Sequence, residues 1–158
     1  SRPGHQQEIH EGLRPMENSE AVILDTSALV AAVDRSEQFH AWALNALQHI
    51  RPPLITCDAV ITESCFLLER LVMAHRQLAR WVAEGFIQIT ESSSTLTRQA
   101  LNLMDTYSNV PMSYADACLV CMVEARPRSR VFTLDSDFRI YRQRNRRVIP
   151  LIAPFVQG

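Results

Sequence analysis

Apolar residues in this chain fall into short continuous runs, separated by longer stretches with helical spacing. Ala21–Leu24 is such a run, closed by Asp25. A short apolar run without polar alternation is how a strand buried on both faces looks. Leu54–Thr56, Phe86–Ile89 and Arg130–Leu134 repeat the pattern, with Arg147–Leu151 as a candidate fifth strand. Between them the spacing predicts helices. A short one follows Asp25 through Ser27–Val33. Asp34-Arg35-Ser36-Glu37 reads as a capping box opening a helix to about Ile50, which Arg51-Pro52-Pro53 ends. Asp58 to about Met73 is a strongly apolar helix, and Arg76 to Glu84 a further one stopped by Gly85. Ser94–Tyr107 places Leu96, Ala100, Leu103 and Tyr107 on one face. Pro111 breaks the chain, Ser113 caps a helix to about Ala125, and Asp137–Arg142 forms a short one.

Short apolar strands alternating with helices predict an α/β fold, a three-layer α/β/α sandwich with a central, mainly parallel sheet. The 158 residues suit one domain, which at this size buries roughly 70% of its unfolded surface. Residues 21–158 are read as that domain. Residues 1–20 carry no apolar signal-peptide core and read as a disordered leader or expression remnant, with Met16 as a candidate natural start. No apolar stretch reaches the roughly 18 residues of a membrane span, so a cytoplasmic protein with no membrane partner is expected.

Net charge is −1 and predicts no partner, but its distribution is uneven. Lysine is absent; all 16 basic residues are Arg, and eight lie between Arg126 and Arg147. A basic strip beside an acidic pocket would suit a polyanion; a solvated surface is the plain alternative. Cys57, Cys65, Cys118 and Cys121 sit in apolar runs and read as reduced core residues, the Cys118-x-x-Cys121 pair included. His5, His10, His40, His49 and His75 show no metal-ligand spacing. Trp42, Trp81, Phe66 and Phe86 read as core or interface, not as a platform for stacking bases.

Four acids stand where a carboxylate is expensive: Asp25 in AVILDTSAL, Glu63 in AVITESCFLL, Asp116 in MSYADACLVCM and Asp135 in RVFTLDSDF, with Asp137 two residues on. A carboxylate taken out of water needs a compensating cation. Four such groups, spread over the chain, suggest one fold-assembled site for a divalent cation. Each has a structural alternative. Asp25 and Asp135 could cap helices, and Asp116 is the third residue after Ser113, as in a capping box. Glu63 has apolar neighbours at helical spacing, yet Glu69 passes the same test nearly as well. Asp25 and Asp135 share a strand-then-Asp pattern, and ligand sites in open parallel sheets lie beyond the carboxyl ends of strands. Thr26 and Ser27 offer hydroxyls able to orient a carboxylate. Phosphoacceptor receiver domains and haloacid-dehalogenase-type phosphatases also place acids on a parallel sheet, but both need a Lys.

LDTSAL, ITES, MSYADACLV and TLDSDF, in this order over about residues 21–153, resemble the motifs of PIN-domain nucleases, and most closely the small stand-alone VapC-type toxins of toxin–antitoxin pairs. The resemblance implies a PIN-like nuclease domain and a metal-dependent ribonuclease. It assigns catalysis to Asp25, Glu63, Asp116 and Asp135, with Asp137 sharing the metal site or supporting it, and Thr26, Ser27 and Thr133 behind them. Mg²⁺ or Mn²⁺ is the implied cofactor, with Asp25 and Asp116 as principal ligands and Glu63 and Asp135 holding its waters or a second ion. A water made more acidic by the cation attacks the phosphodiester in line, leaving a 5′-phosphate and a 3′-hydroxyl. Arg139, Arg142 and Arg144 are the candidate RNA-backbone contacts. An antitoxin protein and a homodimer are the implied partners, with Ser36–Ile50 and Asp58–Met73 as candidate dimer helices. A housekeeping RNA-processing nuclease and a non-catalytic PIN-like module binding RNA or protein are the competing readings.

Overall fold

The computed structural model of the protein describes residues 20–156; the leader expected over 1–20 lies outside them, apart from Glu20. Five strands form one sheet: β1 (Ala21–Leu24), β2 (Leu54–Thr56), β3 (Ile87–Ile89), β4 (Ser129–Phe132) and β5 (Leu151–Ile152). Their order is β3-β2-β1-β4-β5, and every pairing is parallel. The sheet is thus wholly parallel, not merely mainly so. The chain steps one way from β1 to β3 and then crosses to the far side of β1 to lay down β4. That reversal puts a crevice at the carboxyl ends of β1 and β4.

Six α-helices connect the strands: α1 (Thr26–Val33), α2 (His40–Gln48), α3 (Asp58–Leu67), α4 (Ala74–Ala83), α5 (Ser94–Thr106) and α6 (Tyr114–Glu124). Leu24 and Phe132, aligned neighbours in β1 and β4, meet Leu29 of α1, Leu47 of α2 and Trp81 of α4 on one face. Trp42 of α2 packs its ring on Phe132, with centroids 5.7 Å apart. Side chains alternate along a strand, so Ile23 and Val131 face the other way. There α6 packs against β1 and β4, and α5 covers α6. Ala117 to Val123 of α6 are all buried, which explains why its sequence is apolar on every side. Cys118 and Cys121 lie in that buried run, and all four cysteines are free thiols, as read from the sequence.

Three helix boundaries differ from expectation. Asp34 does not open a capping box. Its carboxylate accepts from the backbone N and hydroxyl of Ser36, a local turn that delays the helix to His40. The helix from Asp58 stops at Leu67, six residues before the expected Met73, and residues 68–70 form turns. Buried Leu68 anchors that turn, while Val72 beyond it is 88% exposed; the apolar run had suggested a longer buried helix. The short helix near Asp137 is a 3-10 turn, Ser136–Arg139. The stop at Gly85 holds, with φ of +75°, a conformation that suits glycine.

Candidate active site

Because all strands are parallel, the residues that follow β1 and β4 emerge side by side. Asp25 is the first residue after β1, and Thr133, Leu134 and Asp135 follow β4. Asp25 is only 3% exposed. Its Oδ1 accepts from Thr26 N at 2.7 Å, capping α1, and its Oδ2 accepts from the Ser27 hydroxyl at 2.8 Å and the Thr133 hydroxyl at 2.6 Å. Ser27 Oγ in turn accepts from Leu134 N at 2.8 Å, and Thr133 Oγ1 from Asp135 N at 2.9 Å. These hydroxyls lock the two strand ends together around one carboxylate.

The other acids arrive from α3, α6 and the 3-10 turn. Asp116 completes a capping box with Ser113: its N donates to the Ser113 hydroxyl oxygen at 3.0 Å, and its Oδ2 accepts from Ser113 N at 3.1 Å. The capping position and a place in the cleft are thus compatible, since the capped Asp116 also lines the cleft. Glu63 Oε2 accepts from the Thr26 hydroxyl at 3.4 Å. Asp135 Oδ1 caps the 3-10 turn through Asp137 N at 2.9 Å. Asp25, Glu63, Asp116, Asp135 and Asp137 together line one cleft of about 450 Å³, with Thr26, Ser27, Leu67, Pro111, Met112 and Ser113. Among the described residues no Arg, Lys or His lines it.

The electrostatics follow from that composition. Burial, with added repulsion from Asp116, pushes the Asp25 carboxyl up to about 7. Burial, then Asp135 and Glu63, push Asp116 up to about 6. Asp137 is also raised, by burial and then by Asp135. Acids this close cannot all ionise without a counter-charge.

The donor set suits a hard divalent cation: it is all oxygen and net negative. Asp116 Oδ1, Asp135 Oδ2 and Glu63 Oε1 carry no protein donor among the described residues. Still, among the described residues no three His, Cys, Asp or Glu side chains close on a point tightly enough to hold an ion alone. The acids ring the cleft, which fits an ion that keeps several of its waters.

Tyr141 is a site residue that the sequence reading missed. It is fully buried, and its hydroxyl donates to Pro111 O and, at 3.3 Å, to Asp116 Oδ2. Its neighbourhood, RIYRQ, gave no signal beyond an aromatic among arginines. The expected arginines lie elsewhere. Arg139 stacks over Phe155 at 5.6 Å, and Arg142 bonds the carbonyls of Arg139, Ile140 and Tyr141. Arg144 pairs with Glu124 at 3.3 Å, and none of the three lines the cleft. Arg126 and Arg128 precede β4, at the end of the sheet opposite the acids. Of the core and interface readings given for Phe66, the structure excludes the core: its side chain is 69% exposed.

The sequence matches the PIN domain family over residues 22–143. The chain belongs to the PIN domain family. Among curated proteins this PIN domain is similar to Ribonuclease VapC26 of Mycobacterium tuberculosis, 27% identical over 116 residues, which span 72% of this chain and 86% of the relative. Among solved structures its fold is similar to the Mycobacterium tuberculosis toxin VapC20, described as cleaving the sarcin–ricin loop, with a TM-score of 0.65 at 19% identity over 74% of this chain and 92% of the other. It is also similar to a chain of DNA-bound VapBC from Salmonella typhimurium, with a TM-score of 0.52 at 13% identity over 85% and 98%. Among the described residues no helix is long and apolar enough to cross a membrane.

Proposed function

We propose that this PIN domain is a metal-dependent ribonuclease and the toxin of a toxin–antitoxin pair. The observation that carries the nuclease reading is the cleft itself: five acids, one of them 3% exposed, and, among the described residues, no basic side chain. Such a cleft repels a phosphodiester unless a cation intervenes. Mg²⁺ or Mn²⁺ there would supply the positive charge that keeps the acids ionised and draws the phosphate in. Asp25 and Asp116 would hold it, the first fixed by Ser27 and Thr133, the second by Ser113 and Tyr141. Glu63 and Asp135 face the same space and would orient the attacking water and accept its proton. Asp137 would support Asp135, whose Oδ1 its backbone already holds. The toxin role is supported by similarity to VapC proteins. Exposed Leu44, Leu67, Val72 and Met73 are apolar side chains that an antitoxin or a second copy would cover.

The test incubates the protein with tRNA, rRNA and mRNA in Mg²⁺, Mn²⁺ or EDTA, beside Asp25→Asn and Asp116→Asn. Cleavage by wild type with metal, abolished by EDTA and in both folded variants, is the expected result. Equal cleavage by wild type and variants would place the activity elsewhere. Co-purification with the product of a neighbouring gene, and loss of cleavage in that complex, tests the toxin role.

A further inference from the structure

Beside the acidic cleft lies a second cavity of about 640 Å³, and Glu63 and Ser113 line both. Cys57 and Thr90, which directly follow β2 and β3, line it as well. The cavity therefore continues the cleft along the carboxyl edge of the sheet, over the strands on the other side of β1. One wall is the face of α3 carrying Ala59, Thr62 and Phe66; the other carries Leu96 and Tyr114.

Two features limit what can enter. Among the described residues Asp58 and Glu63 are the only charged ones in the lining, and both are acidic, so none of these side chains would hold a phosphate. The aromatic rings, in contrast, are available. Phe66 is 69% exposed, and neither it nor Tyr114 touches another aromatic ring among the described residues. Trp42, Trp81 and Phe86 are all occupied by ring partners. Tyr114 is held in place by its hydroxyl, which lies 3.0 Å from Thr97 Oγ1. An apolar, aromatic cavity without a cation accepts a neutral planar group.

We infer that this cavity receives one unpaired base of the RNA, from a nucleotide flanking the phosphate at the acidic cleft, stacked on Phe66 and Tyr114. The inference rests on the nuclease reading and narrows its substrate to single-stranded or looped RNA, because only an unstacked base can be splayed into a side pocket. The phosphate goes to the acids and their cation, while the base goes where no charge is needed. The exposed Ser92 also lines the cavity, and its hydroxyl can meet the base edge.

The test uses the full chain with Mn²⁺ and an RNA oligonucleotide spanning a cleavage site mapped on tRNA or rRNA. The oligonucleotide is made intact and with an abasic ribonucleotide on either side of the scissile bond. Loss of the base on one side is expected to raise KM on the order of ten-fold, the scale of a base–aromatic stack. Phe66→Ala should raise KM for intact RNA by a similar factor, more than it lowers kcat, and should lose no more on the abasic RNA. Equal KM for intact and both abasic RNAs would overturn the inference and leave the nuclease reading standing. So would a Phe66→Ala protein that changes its mass in solution yet still discriminates against abasic RNA, the cavity then being covered by a second copy. Cleavage of no RNA by the folded protein would remove the nuclease reading, and the inference with it.

Discussion

The Thr133 hydroxyl donates to Asp25 Oδ2 over 2.6 Å, joining the end of β4 to the end of β1 across 108 residues of sequence. Thr133 Oγ1 also accepts from Asp135 N at 2.9 Å. One side chain therefore sets the position of two acids. Thr133→Val keeps the shape and removes both bonds, together with the 3.2 Å hydrogen bond between the Thr133 and Ser27 hydroxyls. It is expected to cost about 2 kcal/mol in urea unfolding, since a bond to a buried carboxylate is lost and the half-buried Asp135 amide left unpaired. Cleavage should fall on the order of ten-fold or more, as when a group behind a metal ligand is lost. Thr133→Ser, which keeps the hydroxyl, should recover most of both. A Val variant that cleaves at the wild-type rate would show that Thr133 is structural alone.

Asp25 and Asp116 give the protein a characteristic pH response. Their folded values of about 7 and about 6 lie above the ordinary 3.8. In the interval between, the folded state holds protons that the unfolded state has released, so stability falls as pH rises through it. In EDTA the melting temperature should be lower at pH 8 than at pH 5, on the order of 5 °C for a domain of this size. Adding Mn²⁺ should recover the loss at pH 8 and do little at pH 5, where protons compete for the acids. Calorimetry at both pH values checks this; a metal effect equal at the two would contradict it.

Tyr141→Phe leaves the buried ring, which packs on Tyr107 and Phe138, and removes only the bonds to Pro111 and Asp116. The variant should fold, and its cleavage rate should fall on the order of ten-fold with weakened Mn²⁺ affinity. Titrating activity against Mn²⁺ separates this from a loss of folding, which would lower the amplitude without moving the midpoint.

Glu63 and Glu69 were nearly equivalent candidates in sequence. Glu63 lines the cleft and accepts from Thr26, whereas Glu69 is exposed in the turn after α3. Glu63→Gln should cost on the order of a hundred-fold in kcat, the scale of general acid–base catalysis. Glu69→Gln should match wild type, and side-by-side single-turnover kinetics decide the pair.

The architecture was legible because the chain writes it locally. Ala21–Leu24 and Arg130–Leu134 announce buried strands, and each ends at an Asp. The box of Ser113 with Asp116 was equally visible, since it needs residues only three positions apart. Misreadings came where a local signal had two uses. Asp34 could cap a helix or close a turn on Ser36, and the turn won. The apolar run from Asp58 suggested one helix to Met73, yet the helix stops at Leu67 and Val72 beyond it is exposed.

By itself, the sequence determined which carboxylates stand at strand and helix ends, because side-chain type and apolar periodicity act over a few residues. Only the tertiary structure decided that they share one cleft, which no basic residue among those described lines, and that Tyr141 lies behind Asp116. It also placed Arg126 and Arg128 at the opposite end of the sheet and turned Arg144 onto Glu124. The physical reason is the strand order. With β4 beside β1, residues more than a hundred positions apart converge at one sheet edge, while residues a few positions earlier in the same segment emerge at the other. Charge clustered in sequence is therefore divided in space.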